Sequence, residues 1–186
     1  MNGKKKSIIL HLLLGGVLAC FCACVSGLPH VRLTDSSEYI LLPPKDIEYP
    51  LDSHQLVSAS YQGKDYFLNA WVKADTTGLN ITIINELGAN MGELSYRRGT
   101  ASFSSPVFSL PFKPEYIIAD FQLCFYSAPA LRRALEDCGL SLEDAGNSRR
   151  ILQDTAVIAE IEKSQNVVKF INHLRGYAYT LEGNFE

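Results

Sequence analysis

Alternating runs of apolar and polar residues, interrupted once by a helical pattern, limit what this chain can fold into. The clearest run spans residues 65–74, where one side is wholly apolar and the other is mixed. Such a two-sided pattern predicts a strand of an antiparallel sheet that is covered on one face. The apolar side consists of Tyr66, Leu68, Ala70 and Val72, and the mixed side consists of Phe67, Asn69, Trp71 and Lys73.

Further strands are predicted on both sides of a central break. Before the break, period-two runs and turn signals predict strands over residues 39–42, 56–61, 79–84, 93–97 and 100–104. After Gly146 the pattern predicts strands over residues 149–153, 156–162, 167–171 and 177–182.

The central break carries a helical pattern. Pro114 suits the first turn of a helix, and a second short helix is predicted to start after Ser127 and to end at Gly139. The apolar positions of the first helix are Ile117, Ile118, Phe121, Cys124 and Phe125. Strands segregated from helices predict an α+β fold, an antiparallel sheet with two short helices laid on one face.

Composition fits one globular domain and excludes nucleic-acid binding. Hydrophobic residues make up 47% and charged residues 20% of the 186 residues. The net charge of -3 becomes about -6 when residues 1–23, with three lysines and no acids, are removed. Because no basic stripe is available to neutralise phosphates, nucleic acid is excluded as a partner.

The first 23 residues have the features of an export signal. Three lysines, Lys4 to Lys6, precede an apolar run over residues 8–23. This run is shorter than the roughly 20 residues of a membrane-spanning helix. A cleaved signal peptide is therefore predicted, with an uncleaved anchor as the alternative.

Two cysteines are candidates for lipid attachment. Cys20 and Cys24 each follow an alanine, as in the lipobox of bacterial lipoproteins. Cys24 is the predicted site and Cys20 the alternative, because residues 25–29 read as an exposed tether. Neither Phe21 nor Val25 is the aspartate associated with inner-membrane retention, so we expect attachment to the periplasmic face of the outer membrane.

The sequence predicts no enzyme, metal site or cofactor. No Ser-x-x-Lys, Gly-x-Ser-x-Gly, Walker or dinucleotide loop occurs, and no histidine pair has metal-ligand spacing. Cys124 and Cys138 lie on apolar helix sides, where free thiols and a disulfide both remain open. Asp120 is predicted to point to solvent or to Arg149 or Arg150, with ligand orientation as the alternative.

Four stretches resemble an uncharacterised family of bacterial outer-membrane lipoproteins, the domain of unknown function DUF3261. They are residues 24–29, 88–96, 117–123 and 175–182. Such domains are similar to the LolA/LolB lipoprotein carrier superfamily, whose half-barrel of antiparallel strands is lidded by helices around a hydrophobic cavity. The resemblance implies a curved half-barrel here, with the two mid-chain helices over its concave face.

The predicted organisation has three parts: a signal peptide over residues 1–23, a lipidated N-terminus and tether over 24–53, and a LolA/LolB-like domain over 54–186. Six residues are predicted to line an apolar cavity between sheet and helices, with ordinary core packing as the alternative for each. They are Phe67, Trp71, Ile83, Phe121, Phe125 and Tyr179.

The expected function follows from the anchor and the cavity. We expect a lipid-anchored lipoprotein that binds or passes on an apolar ligand, such as a lipid, an acyl or polyene chain, or the acyl chains of another lipoprotein. The alternative is a non-enzymatic envelope scaffold that binds a protein partner through an exposed apolar patch. The sequence does not identify that partner.

Overall fold

The computed structural model describes residues 28–107 and 113–185. These residues hold two helices, α1 (Pro114–Phe125) and α2 (Ala128–Glu136), and a 3-10 turn at Pro44–Asp46. The strands are β1 (His30–Arg32), β2 (Glu38–Ile40), β3 (Leu51–Tyr61), β4 (Lys64–Asp75), β5 (Gly78–Ile84), β6 (Asn90–Arg97), β7 (Thr100–Ser104), β8 (Ser141–Asp144), β9 (Ser148–Gln153), β10 (Ala156–Lys163), β11 (Val167–Asn172) and β12 (Tyr177–Gly183).

Ten of these strands form one open antiparallel sheet in the order β7-β6-β5-β4-β3-β12-β11-β10-β9-β8. The two helices follow β7 and precede β8 along the chain. The prediction of an α+β fold, with an antiparallel sheet and two short helices inserted mid-chain, is therefore confirmed. β1 and β2 pair with each other in a separate small sheet.

The large sheet consists of two halves that meet at one junction. Strands β3–β7 and strands β8–β12 are each a meander in which consecutive strands pair. The halves join where β12 pairs with β3, from Tyr177 opposite Tyr61 to Gly183 opposite Gln55. The last strand of the chain therefore lies in the middle of the sheet.

Strand register divides the sheet into two faces. Tyr179 lies opposite Ala59 and Phe170, and its hydroxyl is 3.8 Å from the Cys124 sulfur of α1. We call this helix-covered side the inner face. Because side chains alternate along a strand, Trp71 and its cross-strand partner His54 lie on the opposite side, the outer face.

Local sequence explains where the helices begin and end. Each helix has proline in its first turn, where the missing N–H costs no hydrogen bond. After α2, Gly139 adopts a φ of +78°, a left-handed conformation that favours glycine. The predicted bounds of both helices are thus confirmed to within a few residues.

The described part of the predicted tether is built into the core. Val31, Leu33, Tyr39 and Leu41 are all buried. The third strand begins at Leu51, ahead of the predicted domain start at residue 54. Residues 28–53 therefore form part of the fold instead of crossing its surface as a spacer. Two short strands, β1 and β8, were not predicted.

Turns alternate between two ends of the sheet because all neighbouring strands are antiparallel. We call the end that carries the turns at residues 62–63, 85–89 and 173–176 the upper end. The described N-terminus lies at the opposite, lower end, because Leu28 packs against Gly99 in the β6–β7 turn. A Cβ at the position of Gly99 would be only 2.8 Å from Leu28 Cδ2.

Candidate functional site

A groove with a volume of about 250 Å³ lies on the outer face, across strands β4, β3, β12 and β11. Its floor consists of small side chains, because Ser58, Ser60, Ala178 and Thr180 stand on the two middle strands. The volume is just below the roughly 300–1,000 Å³ typical of small-molecule pockets. The flanking side chains that line it are Asp65, Phe67, Lys169 and Ile171.

The groove forms because small side chains on the two middle strands stand beside large side chains on the two outer strands. Across the sheet, Phe67 stands opposite Ser58, and Ile171 stands opposite Ala178. Phe67 is 74% exposed and Ile171 is also exposed, so neither side chain is packed in the core. The site can therefore offer apolar walls to a ligand.

Trp71 extends the apolar wall along β4, four residues from Phe67 on the same face. Its indole N–H donates to Asp52 Oδ1 at 2.8 Å, and Lys73 Nζ lies 3.3 Å from Asp52 Oδ2. The hydrogen bond from Trp71, followed by that from Lys73, lowers the pKa of the Asp52 carboxyl. The indole is thus oriented while about half of it stays exposed.

The six predicted lining residues fall on two different faces. Phe67 and Trp71 project from the outer face, so the prediction that they line a cavity between sheet and helices was wrong. The cause is the strict alternation of β4, which sends Ala70 and Val72 to the inner face and these two aromatic residues away from it.

The other four predicted residues lie on the helix side of the sheet. Phe121 and Phe125 are buried, with ring centroids 4.8 Å apart. Tyr179 stacks on Phe170 at 4.9 Å between centroids. Ile83 lies opposite Ala70 on the inner face and is half-buried. The contacts of Phe121, Phe125 and Tyr179 are those of core side chains, although Tyr179 also borders the outer-face groove. Ile83 does not belong to this core.

Asp120 lies buried in α1 at a polar contact with the sheet. The Tyr177 hydroxyl donates to Asp120 Oδ2 at 2.7 Å, and Asn172 donates to that hydroxyl at 3.3 Å. The prediction that Asp120 points to solvent or to Arg149 or Arg150 was therefore wrong. Burial raises the pKa of its carboxyl to about 7, although Tyr177 and the Arg175 charge act in the opposite direction.

Arg149 is a buried cation that ties the sheet to the end of α1. Its side chain is 3% exposed, and its Nη1 donates to the carbonyl oxygens of Leu123, Cys124 and Tyr126 at 2.8–3.1 Å. Its remaining nitrogens reach Asp144 at 2.6 Å and Glu48 at 3.2 Å. A cation at a helix C-terminus stabilises the exposed carbonyls there.

Gln122 makes a second buried polar connection, between α1 and the N-terminal segment. Its Oε1 accepts from the Tyr39 hydroxyl at 3.0 Å and from the Leu42 N–H at 2.9 Å. Its Nε2 donates to the Leu42 carbonyl at 2.8 Å. Sequence reasoning missed both Arg149 and Gln122. The sequence did carry one signal for them: each is a polar residue at a position where the periodic pattern of its strand or helix predicts an apolar, inward-facing one.

Both cysteines of the described chain carry free thiols. The Cys124 thiol is buried, and burial raises its pKa to about 12, so it is a poor nucleophile. Cys138 is half-buried, and its thiol donates to the Leu135 carbonyl at 3.2 Å. Cys20 and Cys24 lie outside the described residues, so lipid attachment stays a prediction.

Exposed apolar side chains also collect at the upper end. Leu87 is 91% exposed in the β5–β6 turn, and Leu174 is 55% exposed in the β11–β12 turn. Tyr61 and Tyr66 flank the β3–β4 turn and are also exposed. We call these four residues the upper rim; they share one end of the sheet, and none of them lines the groove.

Within residues 28–107 and 113–185, no group of three or more His, Cys, Asp or Glu side chains could hold a metal ion. No helix in this described part is long and apolar enough to cross a membrane.

Comparison with known proteins places the chain in a family. No curated protein shows significant similarity to it. Residues 52–183, more than half of the chain, match the family described as Protein of unknown function (DUF3261). The match begins at the second residue of β3 and ends with the last residue of β12, so it covers the large sheet except Leu51, together with both helices. The chain therefore belongs to the DUF3261 family.

Proposed function

We propose that this chain is an exported, lipid-anchored binding protein, not an enzyme, that holds an apolar ligand in the outer-face groove. The observation that carries the proposal is the groove itself, with exposed Phe67 and Ile171 on either side of a floor of small residues. Apolar side chains left exposed around a concave surface are typical of ligand sites. In this proposal the ligand lies on the outer face and not between sheet and helices.

Two features support export and anchoring. The N-terminal signal and the lipobox at Cys24 precede the domain by only a few residues. The four residue-to-residue steps from Cys24 to Leu28 can span at most about 14 Å. Because Leu28 contacts the lower β6–β7 turn, an acyl group on Cys24 would hold the lower end near the membrane and leave the upper end away from it.

The resemblance to LolA/LolB carriers that the sequence motifs imply would fit the same kind of cargo. An open antiparallel sheet with two helices on one face is compatible with the curved half-barrel that the resemblance implies. We infer that this chain differs in the position of its site, because its interior holds packed aromatic rings and the buried side chains of Arg149 and Gln122.

Groove filling tests this proposal. Ser58→Phe places a ring on the floor, and Ser102→Phe is the matched control on the outer face of edge strand β7. Each protein is titrated with the methyl ester of a fluorescent conjugated polyenoic fatty acid. The expected result is binding by wild type and by Ser102→Phe, with at least a tenfold loss in Ser58→Phe. Equal binding by all three, or no binding by wild type, contradicts the proposal.

A second candidate function is an envelope scaffold that binds a protein partner through the upper rim. The specific observation is the near-complete exposure of Leu87 together with three further apolar residues at the same end of the sheet. In cells, crosslinking should recover one stoichiometric protein with wild type but not with the Leu87→Ser/Leu174→Ser variant. Recovery by both proteins would show that the rim does not bind it.

A further inference from the structure

We propose that the ligand of the outer-face groove is a single-chain amphiphile with a carboxylate headgroup, and that Lys169 binds this headgroup. This inference rests on the proposed apolar-ligand function and names the chemistry of the ligand. The supporting observation is the order of polar and apolar side chains across the groove.

One row of cross-strand partners runs through the groove from a cation to an aromatic ring. Lys169 lies opposite Thr180, Thr180 lies opposite Ser58, and Ser58 lies opposite Phe67. With strands about 4.8 Å apart, the Lys169 and Phe67 backbones are about 14 Å from each other. An ammonium group and two hydroxyls thus precede the ring in a single line.

The Lys169 ammonium is available to a ligand. Glu162 stands opposite Lys169 on β10, and Glu182 lies two residues from Thr180 on β12. Neither carboxylate forms an ion pair with Lys169, which has no such partner among the described residues. The side chain lines the groove and is exposed.

The second row of the groove fixes the orientation of the ligand. Ile171, Ala178, Ser60 and Asp65 form this row, with Asp65 on the strand farthest from Lys169. The Asp65 carboxylate repels an anion at that corner, whereas Lys169 and Thr180 provide donors at the opposite one. A carboxylate headgroup therefore belongs on β11 and β12, with the apolar chain passing Phe67 on β4.

A comparison of acid and ester forms of one probe tests the assignment. The free acid and the methyl ester of a conjugated polyenoic fatty acid are titrated into wild type, Lys169→Met and Lys45→Met. The last is a control at an exposed lysine outside the groove. Wild type and Lys45→Met should bind the acid about two- to fivefold more tightly than the ester, as expected for one exposed ion pair.

Lys169→Met should lose this preference, so that its affinities for the acid and for the ester become equal. Raising the salt concentration should reduce the preference in wild type, because exposed charge pairs are screened. Equal affinity of wild type for acid and ester, or a preference kept by Lys169→Met, would overturn the role of Lys169. If the ester still binds and Ser58→Phe blocks it, the groove function stands without this inference. If wild type binds neither probe, both fail.

Discussion

Replacing Asp120 by asparagine should change how stability depends on pH. In the unfolded chain the carboxyl has its ordinary pKa of 3.8, whereas burial in the fold raises it to about 7. Between these values the folded protein keeps a proton that the unfolded chain has released. Rising pH therefore destabilises wild type from about pH 4 to about pH 7, with no further loss above.

The size of this effect follows from the difference between the two pKa values. Three pH units at about 1.4 kcal/mol per unit give about 4 kcal/mol for a fully buried carboxyl. Asp120→Asn removes the ionisation, and its amide oxygen can still accept the hydrogen bond from Tyr177. The variant should therefore become progressively more stable than wild type as the pH rises from 4 to 7, by up to about 4 kcal/mol.

Urea unfolding followed by circular dichroism at several pH values measures this difference. Asp35→Asn, at an exposed position, is the matched control and should track wild type at every pH. The reasoning is refuted if the difference between Asp120→Asn and wild type stays constant within about 0.5 kcal/mol over this range. It is equally refuted if the difference changes in the opposite direction.

Three further predictions concern other contacts. Arg149→Met should lower the free energy of unfolding by about 3–5 kcal/mol, because it leaves the Asp144 carboxylate and three carbonyls without their partner. The control Arg150→Met, at an exposed position, should lower the free energy of unfolding by less than about 1 kcal/mol. Urea titration measures both values. Tyr177→Phe removes a hydrogen bond that lowers the Asp120 pKa, so its pH-dependent loss of stability should extend to higher pH than in wild type. In cells fed labelled palmitate, Cys24→Ala should abolish labelling of the protein and Cys20→Ala should not. Labelling that persists in Cys24→Ala and is lost in Cys20→Ala would instead identify Cys20 as the site of lipid attachment.

The fold was predictable wherever side chains alternate over a long run. In β4, the period-two pattern separated Ala70 and Val72 from Phe67 and Trp71 correctly. The helices cover the wholly apolar side, as the pattern favours, but the two large aromatic residues of the mixed side suggested a cavity there. Choosing the aromatic side for an internal cavity was therefore an error about packing and not about the strand itself.

The polar contacts of the interior were less accessible from sequence. Arg149 occupies an inward position of β9, and its partners come from α1, β8 and the segment before β3. Such a site depends on distant elements meeting in space, which no local pattern records. The four-residue strand β8 was missed for a related reason, since Ser-Leu-Glu-Asp is too short to display a period.

The junction between β3 and β12 also determines when folding can finish. Each half of the sheet can form hairpins between neighbouring strands, which are quick to assemble because their contacts are local. The halves join only when residues 177–183 reach β3, across the intervening chain of residues 62–176. In a chain threaded N-terminus first through a narrow channel, the strand that completes the sheet is the last to emerge. If the chain is exported as we propose, this topology delays the finished fold until β12 has passed the channel, so the chain stays unfinished and able to pass.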